Sequence, residues 1–355
     1  MDSLTQFTLG ATISTLFLGN KVGPRKAAMI GGILGTIPDL DVLLPYDTPI
    51  DSFVFHRGWS HSILLHFIAA PVVGELLLKI FKTIKSIRIT VWATVFLCLS
   101  THAVIDAMTI YGTRLFWPLY LNPIGFGSIF IIDPLYSLPL LLIVIWAFTI
   151  KNWSISLKKA AIVALTSSTT YLAVGLGVQV WVEHRAKTIF DNAGIEPTRV
   201  LVIAAPFTNL LWKVIGLEEK RYHNLYISIF DNDSNANIYT HSRHLELIDC
   251  LKNKDDLNKL KWFSRGFYKV DLEKGKIVIS DLRMGLTPNY AFRFAIADYS
   301  DLELQGIPPS PVSNRINTIE ADLAWLSTRF LGYPALRMTE SSSGKSQVQN
   351  TLISC

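Results

Sequence analysis

Charged residues are scarce in this sequence: they make up 17% of its 355 residues, whereas half of the residues are hydrophobic. Soluble domains carry roughly 25% charged residues. Together with a mean hydropathy of +0.34, this deficit excludes an ordinary soluble protein and indicates a membrane part, alone or joined to a soluble part. The net charge of +5 is modest. Because much of it lies in short loops, we attribute it to membrane topology and predict no nucleic-acid partner.

Cysteines are few, and the N-terminus has no basic stretch. The three cysteines, Cys98, Cys250 and Cys355, have no metal-binding spacing, so no thiolate metal site is predicted. Met1 is followed by Asp2 rather than by a basic stretch, so no cleavable signal peptide is predicted.

Long hydrophobic runs are confined to the first half of the chain. We predict about six membrane-spanning helices there, near residues 4–20, 27–44, 62–81, 89–111, 129–150 and 158–182. Each approaches the ~20 apolar residues that a helix needs to cross a bilayer. The first two are marginal, and either of them could be re-entrant. Residues 1–183 are therefore predicted to form a transmembrane domain.

The loops between these runs differ in charge. Three of them contain Lys and Arg but no acid: those with Lys21, Arg25 and Lys26, with Lys79, Lys82, Lys85 and Arg88, and with Lys151, Lys158 and Lys159. The alternate loops, 45–61 and 112–128, contain one Arg each. The positive-inside rule places the three basic loops in the cytoplasm. Both termini and the whole C-terminal half are then predicted to lie outside.

Residues 184–340 are predicted to form a soluble extracytoplasmic α+β domain. Apolar alternation between turn signals predicts strands at 200–206, 225–231, 276–284 and 290–298. Residues 207–216 and 318–332 have the pattern of short amphipathic helices. The polar tail, 341–355, is predicted to be disordered, and the motif HSRH at 241–244 is interpreted as solvated surface.

Ionisable residues near membrane spans are costly and are commonly functional. In the first half they are Asp2, Asp39, Asp41, His56, Arg57, His61, His66, His102, Asp106 and Asp133. On the predicted topology all of them fall on the outer face, although that topology comes from Lys and Arg in other loops. The sequence therefore predicts one polar site that faces outward.

Imidazole and carboxylate groups together are ligands for zinc, manganese or iron. We predict a divalent metal site, with zinc as the first choice. The predicted ligands are Asp41, His56, His61, His102, Asp106 and, in a second tier, Asp133. His102 and Asp106 are four residues apart and share one helix face. Ser60 is predicted to cap the third span, which leaves His61 in its first turn.

Arg57 and Asp39 are the predicted catalytic residues. A metal lowers the pKa of a bound water toward ~7 and makes it a nucleophile. Arg57 is predicted to clamp an anionic oxygen of the substrate. Asp39 is predicted to act as a general base or as a supporting ligand.

Structural alternatives stay open for several of these residues. Asp39 and Asp41 follow a proline and could serve turn chemistry. His102 and Asp106 could form a hydrogen bond between helices. Asp133 could be an N-cap, with a proline at the first helical position.

Four motifs occur in order along the first half: DSLTQ (2–6), GTIPDLD (35–41), HRGWSHS (56–62) and THAVIDAMTIYGTRLFWP (101–118). With these motifs the chain resembles the YdjM/YbcI-type family of bacterial inner-membrane proteins, over about residues 1–180. That family is described as membrane-bound metal-dependent hydrolases and is linked in name to the LexA regulon. Residues 262–294 resemble the extra C-terminal region of its longer members. One departure is Gln6, where relatives carry His.

We therefore expect a polytopic inner-membrane hydrolase that acts on a phosphoester or lipid-linked substrate at the outer membrane face. One alternative is a metal or ion transporter that uses the same polar residues. It predicts ionisable residues spread across the membrane depth, so their clustering at one face counts against it. The other is a non-catalytic scaffold, for which His102→Ala and Asp106→Ala would leave function intact.

Overall fold

The computed structural model describes residues 1–232, 237–300, 303–313 and 319–343. The chain divides into two compact units. The first, called here the helical unit, contains residues 1–44, 56–177 and 206–209. The second, called here the sheet unit, contains residues 45–55, 178–205 and 210–355. A domain boundary at residue 183 stays a prediction, because one helix runs through that position from Ile155 to Asn192.

The first half of the chain is helical. Its α-helices are α1 (Ser3–Val22), α2 (Pro24–Thr36), α3 (Pro49–Phe55), α4 (Ile63–Ile80), α5 (Arg88–Met108), α6 (Pro134–Thr149) and α7 (Ile155–Asn192). Short 3-10 helices lie at Ile37–Leu43, Trp59–His61 and Lys82–Ile87.

Helices α1 and α2 form a hairpin whose backbones touch at glycine. A Cβ atom on Gly10 would lie 2.2 Å from the carbonyl oxygen of Gly31, and one on Gly35 would lie 2.5 Å from the carbonyl oxygen of Gln6. Small residues allow this close approach in membrane helices. Two buried hydroxyl groups of α1 donate to backbone carbonyls within the helix, that of Thr8 to Thr5 at 3.0 Å and that of Thr12 to Thr8 at 2.8 Å.

Within the described residues, three helical segments are long and apolar enough to cross a membrane: Ile63–Ile80, Lys82–Met108 and Ile155–Asn192. They match the third, fourth and sixth predicted spans. The fifth corresponds to α6, which is apolar but has 16 residues. The multi-pass membrane part is thus supported, whereas the number of six spans is not confirmed.

The first two predicted spans differ from the structure for physical reasons. Helix α1 carries six Ser and Thr residues and buries most of its length against its neighbours. The predicted span 27–44 is not one helix: α2 ends at Thr36 after 13 residues, a length of about 20 Å. The chain then tightens into the 3-10 helix around Pro38, a residue that disfavours continuation of an α-helix.

The second half is rich in β-sheet. Its strands are β1 (Arg199–Ala204), β2 (Leu211–Leu217), β3 (Arg221–Ser228), β4 (Ile238–Ser242), β5 (Tyr268–Glu273), β6 (Lys276–Asp281), β7 (Gly285–Leu286), β8 (Asn289–Tyr290), β9 (Arg293–Ser300) and β10 (Glu303–Pro311). Its helices are α8 (Asp255–Phe263), α9 (Ile319–Phe330) and α10 (Met338–Ser343), with a 3-10 helix at Leu245–Ile248. Two antiparallel sheets have the orders β1-β2-β3-β4 and β10-β9-β6-β5, and β7 pairs with β8.

The predicted strands are found as β1, β3, β6 and β9, and the helix predicted at 318–332 is found as α9. The helix predicted at 207–216 is wrong. Strand β2 lies there, paired on both sides and buried along its whole length. A strand covered on both faces has a continuous apolar run, which periodicity alone does not distinguish from a buried helix.

The solvated surface predicted for HSRH is wrong for His241. Its ring stacks on Tyr222 at 5.0 Å, and its Nε2 lies 3.2 Å from Oε1 of Glu340, a residue of α10 that is fully buried. Burial would raise the pKa of the Glu340 carboxyl, but hydrogen bonds from His241 and Asn224 and the charge of Arg337 hold it below its ordinary value.

Helix α10 extends into the tail for which disorder is predicted. Ser341 to Ser343 are its last residues. Residues 344–355, the rest of that tail, lie outside the described residues.

Candidate metal centre

Four side chains from three elements of the helical unit converge. Asp39 comes from the 3-10 helix after α2, His61 from the short 3-10 helix before α4, and His102 and Asp106 from α5. One ligand atom of each lies within 4.8 Å of the others. Asp39 is partly exposed and the other three are buried. We call these residues the four-residue centre.

The separations within the four-residue centre are regular. Nε2 of His61 lies 3.1 Å from Nε2 of His102. Oδ1 of Asp39 lies 3.4 and 3.3 Å from those two nitrogens, and Oδ2 of Asp106 lies 3.3 and 3.5 Å from them. Tetrahedral zinc with ligands at about 2.0–2.1 Å places neighbouring ligand atoms about 3.3 Å apart. These five separations are close to those of a tetrahedral metal site, and the two carboxylate oxygens lie within 4.8 Å of each other.

Hydrogen bonds set which nitrogen of each imidazole faces the centre. Nδ1 of His102 lies 2.6 Å from the carbonyl oxygen of Gly35, which accepts and cannot donate, so Nδ1 carries the proton. Ser60 donates its hydroxyl to Oδ2 of Asp41 at 2.6 Å. The Ser60 oxygen then accepts from Nδ1 of His61 at 2.9 Å. Both Nε2 atoms thus present lone pairs to the centre, as metal ligands do.

The carboxylates complete a set of acceptor atoms that face one another. Oδ1 of Asp39 and Oδ2 of Asp106 are buried and make no hydrogen bond in the described part of the chain. Two imidazole lone pairs and two carboxylate oxygens that face one another repel, and a cation bound between them would remove this repulsion. This set of N and O donors fits zinc, with manganese or iron as alternatives.

Asp106 also contacts two positive groups. Its Oδ2 lies 3.0 Å from Nε of Arg57, and its Oδ1 forms a short ion pair with the amino group of Met1. Oδ1 also accepts a hydrogen bond from Nε2 of Gln6 at 3.0 Å. The orientation of this carboxylate is therefore fixed from both sides.

Arg57 is held in a strained backbone conformation beside the centre. Its φ of 62° lies in the left-handed region that favours glycine. Its N–H donates to Asp41 at 3.0 Å, and its carbonyl accepts from the N–H of Arg114 at 3.1 Å. Its guanidinium lies over the ring of Tyr111 and donates to Thr109 at 3.3 Å. The surroundings thus hold this charged side chain next to the candidate ligands.

Comparison with known proteins identifies the helical half. The family model described as YdjM inner membrane protein matches residues 1–182. The chain belongs to the YdjM inner membrane protein family. The match includes all four residues of the centre. Neither the curated proteins nor the solved structures gave a match.

In this YdjM-family chain, the structure brings Asp41 and His56 together outside the four-residue centre. Oδ1 of Asp41 lies 2.7 Å from Nδ1 of His56. Oδ2 of Asp41 lies 3.8 Å from Nδ1 of His61 and contacts Ser60, which bridges the two. Asp41 therefore orients a member of the centre through the serine hydroxyl, and a direct ligand role for either residue stays a prediction.

Asp133 is not brought into the four-residue centre. Its Oδ1 accepts from the backbone N–H groups of Leu135 and Tyr136 at 3.0 and 3.4 Å, at the start of α6. Its Oδ2 accepts from the hydroxyl of Tyr171 at 2.8 Å. These contacts are those of a helix N-cap, the structural alternative considered for this residue.

We expect Asp133→Ala to retain bound metal, because all four residues of the centre are still present. We expect it to lose about 1 kcal/mol of stability, because the cap of α6 is removed. Metal content by mass spectrometry and thermal unfolding in detergent measure the two effects. Loss of metal in a folded Asp133→Ala protein would instead place Asp133 among the ligands.

The groups that support the centre are not evident from the sequence. The predicted cap role of Ser60 is wrong: Ser62 caps α4 by accepting from the N–H of Leu65 at 3.3 Å, and His61 precedes the helix. Ser60 instead joins Asp41 to His61. The motif HRGWSHS contains both serines. Because α4 begins two residues later than predicted, Ser62 rather than Ser60 is its cap.

Proposed function

We propose that this YdjM-family protein is a membrane-bound metal-dependent hydrolase. Its metal would be held by His61, His102 and Asp106, which leaves a position for a water molecule next to Asp39. The observation that carries the proposal is the four-residue centre itself, in which two imidazole nitrogens and two carboxylate oxygens face one another at separations of 3.1–3.5 Å for five of the six atom pairs. A divalent ion such as zinc, when bound, supplies a Lewis acid and a water of lowered pKa.

The chain's own residues divide the remaining tasks. The Asp39 side chain is 23% exposed, whereas those of His61, His102 and Asp106 are fully buried. Asp39 therefore lies on the side from which water and substrate arrive, and we assign to it the transfer of a proton there. We assign to Arg57 the binding of an anionic oxygen of the substrate.

Exposed apolar side chains next to the centre favour a lipid-linked phosphoester as the substrate. In the 3-10 helix that carries Asp39, Leu40, Val42 and Leu43 are 55, 59 and 77% exposed. Trp59, two residues before His61, is 53% exposed. Apolar groups exposed beside a polar centre are typical of sites that receive an amphiphile from the bilayer.

The centre is proposed to face the extracytoplasmic side, together with the C-terminal half. This orientation rests on the three basic loops and the positive-inside rule. An outward site acts on substrates in the outer leaflet.

One experiment tests both the reaction and its side. Right-side-out and inverted membrane vesicles that contain the protein are loaded with zinc and given a membrane-impermeant phosphodiester and short-chain phospholipids. We expect hydrolysis in right-side-out vesicles and none above the protein-free level for His102→Ala. Hydrolysis confined to inverted vesicles would reverse the orientation, and no hydrolysis by the zinc-loaded parent would contradict the proposed reaction.

A further inference from the structure

Residues 45–55, called here the strap, belong to the sheet unit, although the residues on both sides of them belong to the helical unit. The chain leaves the helical unit at Leu44 and returns to it at His56. The strap contains α3 and is covalently joined at both ends to residues that surround the four-residue centre. This connection has no counterpart elsewhere in the first 177 residues of the chain.

An aromatic side chain anchors the strap within the sheet unit. Phe53 is 6% exposed. Its ring centroid lies 4.6 Å from that of Phe263 in α8, 4.2 Å from that of Phe292 and 5.5 Å from that of Phe294 in β9. Clusters of this kind provide large buried area and specific ring geometry. The strap is thus docked by packing rather than lying free as a loop.

A polar anchor accompanies the aromatic one. Oδ1 of Asp51 forms an ion pair with Nζ of Lys259 in α8 at 2.6 Å. The Thr48 hydroxyl donates to Oδ2 of Asp51 at 2.8 Å, and it accepts from the Asp51 N–H at 3.0 Å. Ile50 and Val54 are almost fully buried. One face of α3 is therefore fixed by apolar contacts and by charge.

The two ends of the strap lead directly to the groups that orient His61. Asp41 lies four residues before the strap, and His56 follows it immediately. Beyond His56, the Arg57 N–H and the Ser60 hydroxyl both donate to Asp41. The strap therefore closes a chain loop whose two ends are hydrogen-bonded to each other beside the metal ligands.

We propose that docking of the strap sets the metal affinity of the four-residue centre, and that Phe53 is the positioning residue through which the sheet unit does so. The inference rests on the proposed function, because it concerns the same metal. A docked strap holds its two ends in place before the metal arrives. A released strap leaves these ends held only by their hydrogen bonds to each other, so metal binding must order them at an entropic cost and the affinity falls.

The same coupling acts in the opposite direction. If docking favours metal binding, metal binding favours docking by the same factor. Zinc is therefore expected to increase the protection of strap amides from hydrogen exchange. A strap that merely helps the sheet unit to fold would show no response to zinc.

The experiment uses the full-length protein in detergent and measures zinc affinity by competition with a chelator. We expect Phe53→Ala to weaken zinc binding roughly tenfold, as for residues that orient metal ligands, and Phe53→Tyr to restore most of it. Phe190→Ala is the matched control, because Phe190 is a fully buried phenylalanine of the sheet unit in a separate apolar cluster. It should lower stability and leave zinc affinity unchanged.

A second variant keeps the test decisive if Phe53→Ala does not fold. Lys259→Met removes the polar anchor at a half-exposed position, and we expect a loss of about two- to fivefold in zinc affinity. Parent-like affinity in folded Phe53→Ala or, failing that, in Lys259→Met overturns the inference alone. Absence of zinc binding by the parent overturns the proposed function together with it.

Discussion

Protein that carries both His61→Ala and His102→Ala is expected to contain no metal above background after purification, whereas the parent retains stoichiometric zinc, manganese or iron. The two imidazoles supply both nitrogen ligands of the four-residue centre. Without them only the two carboxylates of Asp39 and Asp106 remain, which is fewer than the three protein ligands of a catalytic zinc site. Mass spectrometry of the metal content in detergent-purified protein measures the difference.

The control for this double variant is His184→Ala. His184 is an exposed histidine outside the centre, so its loss removes an adventitious ligand without touching the candidate site. Metal content should then equal that of the parent. Equal and negligible metal in the parent and in the double variant, even after reloading, would contradict the hydrolase proposal and favour a scaffold or a transporter.

Asp106→Asn is expected to cause the largest loss of stability among single substitutions in the centre. Asp106 is fully buried and its carboxylate faces the guanidinium of Arg57 and the amino group of Met1. Removing one partner of a buried ion pair leaves the other charge uncompensated, which costs about 3–5 kcal/mol. Thermal or denaturant unfolding in detergent should show a loss of this size.

A double variant separates the charge effect from the metal effect. Arg57→Met combined with Asp106→Asn removes both charges of that pair, so much of the lost stability should return. Metal should stay absent, because the carboxylate ligand is still missing. If Asp106→Asn has the same unfolding free energy as the parent, the charge of Arg57 is not compensated by this carboxylate. The ion pair described here would then be contradicted.

The members of the centre could be found in the sequence because helical spacing is regular. His102 and Asp106, four residues apart, lie on one face of α5 with Nε2 and Oδ2 3.5 Å apart. Asp39 and His61 could be placed in the same region from their positions at span ends. Which carboxylate faces the histidines could not be predicted, because Asp39 and Asp41 lie two residues apart in a 3-10 helix that the sequence does not specify and that turns their side chains in different directions.

The supporting contacts are less accessible to sequence reasoning. The acceptor for His102 is the backbone carbonyl of Gly35, and any residue type has such a carbonyl. The fold shows the same limit: β2 has the composition of a buried helix, and α1 carries six Ser and Thr residues yet packs in the interior of the helical unit. In each case the contact or the secondary structure depends on tertiary neighbours that are distant in the chain.

The glycine contact between α1 and α2 has a consequence for how metal preference can change in evolution. Gly35 lies against the backbone of Gln6, and its own carbonyl holds His102. One methyl group at this position forces the two helices apart and displaces both His102 and the chain that leads to Asp39. Ions differ in radius by tenths of an ångström, so a change of that size alters which ion fits best. In the proposed site, metal selectivity would therefore depend on a residue that has no side chain.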